Sequence, residues 1–269
     1  RVTFMSGNAV LKATASLREQ LFEVASEVLE VPPDQLALHD YKIYDTSDTS
    51  NSMTFVDAVV RAEARHGTLG ATGSYFPPTL GGPYRGSVIG SSPAYSYTAC
   101  VAGVDVDRDT GEVRVDKMWV AHDCGRALNP ALVAGQIHGC AYMGLGEALM
   151  EAQTFDKRGL HLAPSLLEYK LPTSLETPEI EAIIVESIDL LGPYGAKEAG
   201  EGPENPIVPA ISNAVSQATG LRFDDIPLSP DKIFRALHSK PARPDRPITI
   251  PVYSFPEPER PPVPEWRDK

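Results

Sequence analysis

Cysteine, positive charge and long apolar runs are all scarce in this chain of 269 residues. Its three cysteines, Cys100, Cys124 and Cys140, show neither the even number of a disulfide framework nor the CxxC spacing of a zinc site, so we expect a reducing, cytoplasmic location. The formal net charge of −12 argues against nucleic acid or an anionic membrane surface as the main partner. No apolar run approaches the roughly 18 residues of a membrane span.

The common motifs of nucleotide-binding and hydrolytic enzymes are also missing. No GxGxxG opens a helix after a strand, no phosphate-binding GxxxxGKS or GxxxxGKT occurs, and there is no GxSxG nucleophile elbow. His122 and His138 lie 16 residues apart with no carboxylate at ligand spacing, which favours packing or hydrogen bonding over metal binding. The sequence therefore predicts no metal ligand among its side chains.

The apolar pattern instead alternates between helical and strand periods. A helix is predicted from Ala9 to about Leu29, one strand from Leu36 to Tyr44, and a second helix that Thr54 caps and Gly67 ends. Further strands and helices are predicted over Tyr95–Val106, Val113–Val120, Ala131–Met150, Ile180–Glu186, Ile207–Thr219 and Asp231–His238.

This mixture predicts an α+β fold with mixed sheets and packed helices. We expect residues 1–240 to form one domain or two subdomains, and residues 241–269 to form an extended, proline-rich tail.

The stretch from Gly192 to Pro203 is the most unusual in the chain. Four glycines and two prolines in twelve residues exclude a helix or strand interior, yet the stretch carries Lys197, Glu198 and Glu201. Two carboxylates and one ammonium group on such a loop could supply a general base and a group that adjusts its pKa. The alternative is a strand-to-helix turn with surface charges.

A second loop, residues 122–130, leads into a helix that is rich in small residues. So many glycines weaken a helix, and they make sense if another backbone or a large ligand lies against that face. Gln136, near the start of the helix, could both donate to and accept from such a ligand. A tightly packed helix with a solvated glutamine is the competing interpretation.

These two loops resemble the signature motifs of the molybdenum hydroxylase (xanthine oxidase) family. The matching residues are DCGR followed by NP, GQIHG and GLGEA between positions 123 and 148, and GAKEAGE over residues 195–201. Residues 1–9 resemble the segment that touches the dinucleotide end of the pterin cofactor. The family's earlier cofactor-binding loops are absent, so the resemblance implies the C-terminal part of a molybdopterin-binding domain.

The resemblance also implies roles for individual residues. Glu201 matches the catalytic glutamate, which we expect to be a buried general base beside the metal. Gln136, Arg1 and the loop residues Lys197, Glu198, Ala199 and Gly200 match positions that bind the cofactor. Molybdenum is held in this family by the pterin dithiolene, so the chain supplies no metal ligand. The implied cofactor is Mo-molybdopterin in its cytosine dinucleotide form, and Asp123 and Arg126 are expected to maintain the loop.

The resemblance finally implies partners and a class of reaction. We expect a chain with the N-terminal half of the subunit and an FAD subunit. We also expect a 2Fe-2S subunit, because the three cysteines of this chain cannot ligate a four-cysteine cluster. The substrate would be a small aromatic or N-heteroaromatic molecule, hydroxylated or reductively dehydroxylated. Within the family, the segments GTLG at 67–70, GSY at 73–75, YSY at 95–97, LEYK at 167–170 and FPEP at 255–258 most resemble 4-hydroxybenzoyl-CoA reductase. A split xanthine- or nicotinate-type enzyme, an aldehyde dehydrogenase and a non-catalytic structural subunit are the alternatives.

Overall fold

The computed structural model describes residues 2–78 and 94–239, which belong to two compact units that divide after Thr79. Arg1, residues 79–93 and the predicted tail lie outside the described residues. None of the helices in the described part is both long enough and apolar enough to cross a bilayer.

The first unit packs two helices against a small antiparallel sheet. A π-helical turn, Val2–Ser6, leads into α1 (Gly7–Leu29). The strands β1 (Leu36–His39), β2 (Lys42–Asp45) and β3 (Ser52–Thr54) precede α2 (Phe55–His66). Apolar side chains from both helices and from the sheet form the core of this unit, which includes Leu21, Val24, Ala25, Ile43, Met53, Ala58 and Ala62.

The single strand predicted over Leu36–Tyr44 is wrong, because the chain reverses within it. β1 and β2 pair antiparallel with His39 opposite Lys42, and the two turn residues, Asp40 and Tyr41, have φ of 49° and 59°. Two-residue hairpins of this kind need positive φ at both central positions and usually place Asn-Gly or Asp-Gly there. The Asp-Tyr pair lacks that signature, so the turn was hidden in the sequence.

The predicted limits of α2 are confirmed. The Thr54 hydroxyl accepts a hydrogen bond from the Asp57 amide at the first turn, and Gly67, with φ of 78°, ends the helix. A threonine cap satisfies an amide that the helix leaves without a partner, and glycine adopts positive φ without strain.

In the second unit, helices pack against a three-stranded mixed sheet. β4 (Thr98–Val106) and β5 (Val113–Asp123) form an antiparallel hairpin, and β6 (Glu179–Val185) pairs in parallel with β5. The helices are α3 (Pro130–Leu149), α4 (Ile207–Thr219) and α5 (Pro230–His238). These elements confirm the predicted ones to within a few residues at each end.

One face of this sheet is buried in the core of the second unit, and the pairing of its strands determines where their carboxyl ends lie. Met118 and Val120 of β5 are fully buried with Ile137 and Leu145 of α3 and Ile211 of α4. Because β5 and β6 run in parallel, their carboxyl ends meet at one edge of the sheet, where Asp123 lies opposite Val185. The loops that follow both strands therefore start from the same place.

The small residues of α3 allow close packing in the C-terminal half of the helix and leave open space in its N-terminal half. A Cβ on Gly144 would lie 2.6 Å from the Cβ of Ile207, so the close approach expected for this helix is found between α3 and α4. Gly135 and Gly139 have no atom within 4 Å of such a Cβ.

We predict that Gly144→Ala destabilises the fold and that Gly139→Ala does not. The added methyl group at Gly144 forces Ile207 out of place, at a cost of about 1–3 kcal/mol. Alanine at Gly139 gains helix propensity of about 1 kcal/mol without a clash. Urea unfolding of both variants tests this, and equal midpoints for the two would contradict it.

Candidate functional site

The two loops that the sequence singled out lie side by side at the carboxyl ends of β5 and β6. Gly125 and Ala196 form an isolated antiparallel bridge. The Lys197 amide donates to the Cys124 carbonyl at 2.8 Å, and the Arg126 amide donates to the Gly195 carbonyl at 2.8 Å. Residues about 70 positions apart are thus joined through their backbones.

Glycine at position 125 is required by this contact. Its φ is +65°, and a Cβ there would lie 2.3 Å from the Gly195 carbonyl oxygen. Any larger residue would be strained and would also push the two loops apart.

A buried ion pair reinforces the junction of the loops. The Lys197 ammonium group lies 2.7 Å from Asp123 Oδ2, and the two side chains are only 7% and 9% exposed. Asp123 Oδ1 also accepts hydrogen bonds from the Gly125 and Ser187 amides, both at 3.1 Å. The structure therefore gives Asp123 the loop-holding role expected of it. The Lys197 ammonium group is thus paired with Asp123, whereas the family resemblance implies that Lys197 binds the cofactor.

Competing effects act on the Asp123 carboxyl group. Burial is the largest and raises its pKa, but hydrogen bonds from Lys197, Gly125 and Ser187 together outweigh it. The pKa of Asp123 is therefore below its ordinary value, and the carboxylate stays charged at neutral pH.

His122 joins the loop to the sheet. The ring is completely buried, with Nδ1 2.7 Å from the Thr98 hydroxyl and Nε2 2.8 Å from the Glu198 carbonyl oxygen. The hydrogen-bonding role predicted for His122 is confirmed.

Glu198 and Glu201 occupy different surroundings on the same loop. Glu198 is partly buried, and its Oε2 lies 3.4 Å from the amide nitrogens of both Glu201 and Gly202. Glu201 is exposed on this chain and precedes a 3-10 turn, Gly202–Glu204, that leads towards α4. The burial expected for Glu201 is therefore not provided by this chain.

The loop also lies along α3. The Cys140 thiol donates to the Gly200 carbonyl at 2.7 Å, and burial raises the pKa of Cys140 and so keeps this donor protonated. Gln136, one turn earlier on α3, is exposed, and its Oε1 lies 3.5 Å from where a Cβ on Gly200 would be.

The structure thus brings most of the predicted site residues together. Gln136 faces the loop formed by Lys197, Glu198, Ala199, Gly200 and Glu201, whereas Arg1 lies outside the described residues. Sequence reasoning missed Thr98 and the hydrogen bond of Cys140. The i,i+4 spacing of Gln136 and Cys140 on a helix could have indicated the second. Only the pairing of β4 with β5 reveals the first, because it sets Thr98 opposite His122.

The donors of this site suit an electron-rich, hydrogen-bonding ligand. Within residues 2–78 and 94–239, the amides of Glu198, Ala199 and Gly200 donate to no other group, and Gln136 presents an exposed amide. The same residues contain no cluster of three or more His, Cys, Asp or Glu side chains that could hold a metal ion. Unpaired backbone amides on a glycine-containing loop favour an anionic group.

A cavity of about 370 Å³ opens next to the loop. Its lining residues in the described part of the chain are uncharged, and one of them, Gly202, directly follows Glu201; they are Ser96, Tyr97, Thr98, Gly202, Asn205 and Pro206. The Ser96 hydroxyl is buried and has no hydrogen-bond partner among the described residues.

We predict that Asp123→Asn costs about 3–5 kcal/mol of unfolding free energy, because it leaves Lys197 buried without a counter-ion. Asp105→Asn removes an exposed ion pair with Arg114 and should cost less than about 1 kcal/mol. Urea unfolding at neutral pH measures both, and equal losses would contradict the prediction.

The pH dependence of the same ion pair has a definite sign. Since the folded-state pKa of Asp123 is lowered, its contribution to stability is complete above the unfolded value of about 4 and is lost as the pH falls further. The stability difference between the native chain and Asp123→Asn should therefore shrink below about pH 4. A difference that is constant across this range would show that the charge of Asp123 is not responsible.

Comparison with known proteins identifies the family of the chain. The family model of the molybdopterin cofactor-binding domain matches residues 1–178. The probable hypoxanthine oxidase XdhD of Escherichia coli strain K12 is 32% identical over 238 residues, which cover 87% of this chain and 23% of that protein. The carbon monoxide dehydrogenase large chain of Hydrogenophaga pseudoflava is 29% identical over 245 residues, which cover 88% of this chain and 29% of that protein.

Solved structures agree with the sequence comparisons. Quinoline 2-oxidoreductase from Pseudomonas putida 86 superimposes with a TM-score of 0.75 and 25% identity over 90% of this chain and 30% of that one. The aldehyde oxidoreductase of Desulfovibrio gigas gives 0.65 and 25% over 89% of this chain and 23% of that one.

The chain spans less than a third of the length of these relatives. The match to the family model covers well over half of the chain, and the relatives are similar to it in both sequence and fold. The chain therefore belongs to the molybdopterin-binding subunits of the molybdenum hydroxylase (xanthine oxidase) family.

Proposed function

We propose that the chain forms part of the catalytic, molybdopterin-binding subunit of a multi-subunit oxidoreductase. The observation that carries this proposal is the loop of residues 198–201. It presents unpaired amides and the exposed Glu201 carboxylate next to Gln136, in a chain of a molybdopterin-binding family. A non-catalytic structural subunit would have no need for this arrangement.

The residues present fit Mo-molybdopterin, and we assign it to them in the cytosine dinucleotide form. The Gln136 side chain and the amides of Glu198, Ala199 and Gly200 would hold the pterin by hydrogen bonds. Lys197 would support the loop through its ion pair with Asp123, and Arg1 would meet the dinucleotide end. The bound cofactor supplies a molybdenum centre that exchanges electrons with the substrate.

Glu201 is assigned the role of general base. Its carboxylate has no hydrogen bond or ion pair among the described residues, so it is free to take a proton from the reacting group. The amides of Glu201 and Gly202 point towards Glu198 Oε2, which orients the backbone that carries the catalytic side chain. The rest of the subunit and the cofactor would cover Glu201 and exclude water from it.

The uncharged cavity beside Gly202 is proposed to receive a small aromatic or N-heteroaromatic substrate. Its size lies within the usual range for small-molecule sites, and its hydroxyl and amide groups could bond to a ring nitrogen or a carbonyl. Relatives are named for hypoxanthine, nicotine and quinoline, which are N-heteroaromatic.

An aromatic thioester remains the second substrate class, with reductive dehydroxylation as its reaction. The Tyr95-Ser96-Tyr97 segment resembles 4-hydroxybenzoyl-CoA reductases, and Ser96 and Tyr97 line the cavity.

The activity would require partner chains. Relatives bear names such as a complex subunit gamma and a dehydrogenase large chain. We propose that the N-terminal half of the molybdenum subunit, a 2Fe-2S subunit and an FAD subunit complete the enzyme, in the cytoplasm.

We predict that Glu201→Gln in the complete enzyme lowers kcat by about 10²–10⁴-fold, because the amide cannot accept the proton. Molybdenum content should stay unchanged, since the residue is not assigned to cofactor binding. The assay uses quinoline, hypoxanthine, nicotine, benzaldehyde and 4-hydroxybenzoyl-CoA, with a dye as electron acceptor for oxidation and reduced dye as donor for the thioester.

Glu63→Gln, on the exposed side of α2, is the matched control and should leave kcat unchanged. Native-like turnover by Glu201→Gln would overturn the assignment of the base. Purified native enzyme that lacks molybdenum would favour the structural subunit instead.

A further inference from the structure

His122 is a completely buried imidazole at the end of β5, between β4 and the loop that carries Glu201. Both ring nitrogens are engaged, one with the side chain of Thr98 and the other with the backbone of Glu198. A residue that only filled the core would not need two directed hydrogen bonds, and an apolar side chain of similar size would pack there at lower cost.

The two hydrogen bonds define which nitrogen carries the proton. The Glu198 carbonyl oxygen can only accept, so His122 Nε2 must donate to it. In the neutral ring, Nδ1 is then an acceptor and receives the hydrogen of the Thr98 hydroxyl. The Glu198 carbonyl therefore selects the tautomer of His122, and the Thr98 hydroxyl holds the ring in place by donating to Nδ1.

The loop also approaches the ring closely at Gly202. A Cβ on Gly202 would lie 2.8 Å from His122 Cε1 and 2.3 Å from Glu198 Oε1. Glycine at this position lets the backbone lie against the imidazole while the Glu198 carbonyl oxygen accepts the hydrogen bond from His122 Nε2. The His122 ring thus contacts the loop on both sides of Glu201, at positions 198 and 202.

The third contact comes from α3, where the Cys140 thiol donates to the Gly200 carbonyl at 2.7 Å. The backbone is therefore restrained at residues 198, 200 and 202, whereas the Glu201 carboxylate between them has no partner among the described residues. This arrangement fixes where the side chain starts and leaves its reactive end free.

We propose that His122, oriented by Thr98, is the positioning residue for the general base Glu201. The inference rests on the proposed function, since it assigns a purpose to the restraint of Glu201. It places no part of His122 in contact with the substrate or cofactor. Because a displacement of about 1 Å can lower a rate by about 100-fold, the loss of one loop restraint should appear in kcat.

The test compares His122→Leu with His122→Gln in the complete enzyme. Leucine fills the space but leaves the Glu198 carbonyl without a donor, whereas the glutamine amide can reach the position of Nε2 and donate. We expect kcat per bound molybdenum to fall about 100-fold in His122→Leu and less than about 5-fold in His122→Gln, with KM unchanged in both. His238→Leu, at the exposed end of α5, is the matched control and should keep native kcat.

A second readout is independent of turnover. Hydrogen exchange of peptides covering residues 196–204 should speed up at least about 10-fold in His122→Leu, while peptides from α4 should exchange as in the native enzyme. A native kcat per molybdenum, or unchanged exchange of the loop, would overturn the proposal. Equal loss of kcat in the leucine and glutamine variants would also overturn it, because it would show that the donor is irrelevant.

Thr98→Val and Thr98→Ser provide a milder pair if His122→Leu does not fold. Valine removes the hydroxyl that donates to Nδ1, whereas serine keeps it. Because Thr98 also lines the proposed substrate cavity, this pair is compared by hydrogen exchange over residues 196–204, which should speed up in Thr98→Val and stay native in Thr98→Ser; equal exchange would count against the proposal. Failure of the proposed function is distinguishable, because Glu201→Gln would then keep native activity whatever the His122 variants do.

Discussion

The buried ion pair between Asp123 and Lys197 is the interaction on which the site depends. It joins residues 74 positions apart and holds the loop after β5 against the loop before α4. Burying two charges costs several kcal/mol, which is recovered only when their geometry and remaining hydrogen bonds are satisfied. The amides of Gly125 and Ser187 complete that requirement for Asp123. A different arrangement of the loops would leave these charges unpaired, so the pair selects one arrangement.

The glycines of the two loops allow the ion pair to form. Gly125 has no room for a side chain against the Gly195 carbonyl, and Gly202 has none against His122 and Glu198. Close backbone contact at these points places rigid anchors on both sides of Glu201. The exposed groups, namely the Glu201 carboxylate, the Gln136 amide and the unpaired loop amides, are left for the ligand. The fold thus separates the groups that hold the loop from those that could react or bind.

Much of this organisation could be predicted from the sequence. Apolar periodicity located the helices, and the glycine-rich loop with its charged residues indicated the site and its family. The hairpin between β1 and β2 escaped prediction because Asp40-Tyr41 does not carry the usual turn residues. The ion pair of Lys197 with Asp123 could not be predicted, because the position of Lys197 in its motif says nothing about the carboxylate that lies next to it in space.

The sequence by itself determined the identity of the elements, the family and the loop that carries Glu201, because these depend on local pattern and on motifs of adjacent residues. Only the tertiary structure decided how the charges and hydrogen bonds of that loop are used. Asp123 meets Lys197, His122 meets Thr98 and Glu198, and Cys140 meets Gly200. These contacts follow from the register of β4 with β5 and from the parallel pairing of β5 with β6. Non-local pairing of this kind is set by packing of the whole sheet, which no short stretch of residues encodes.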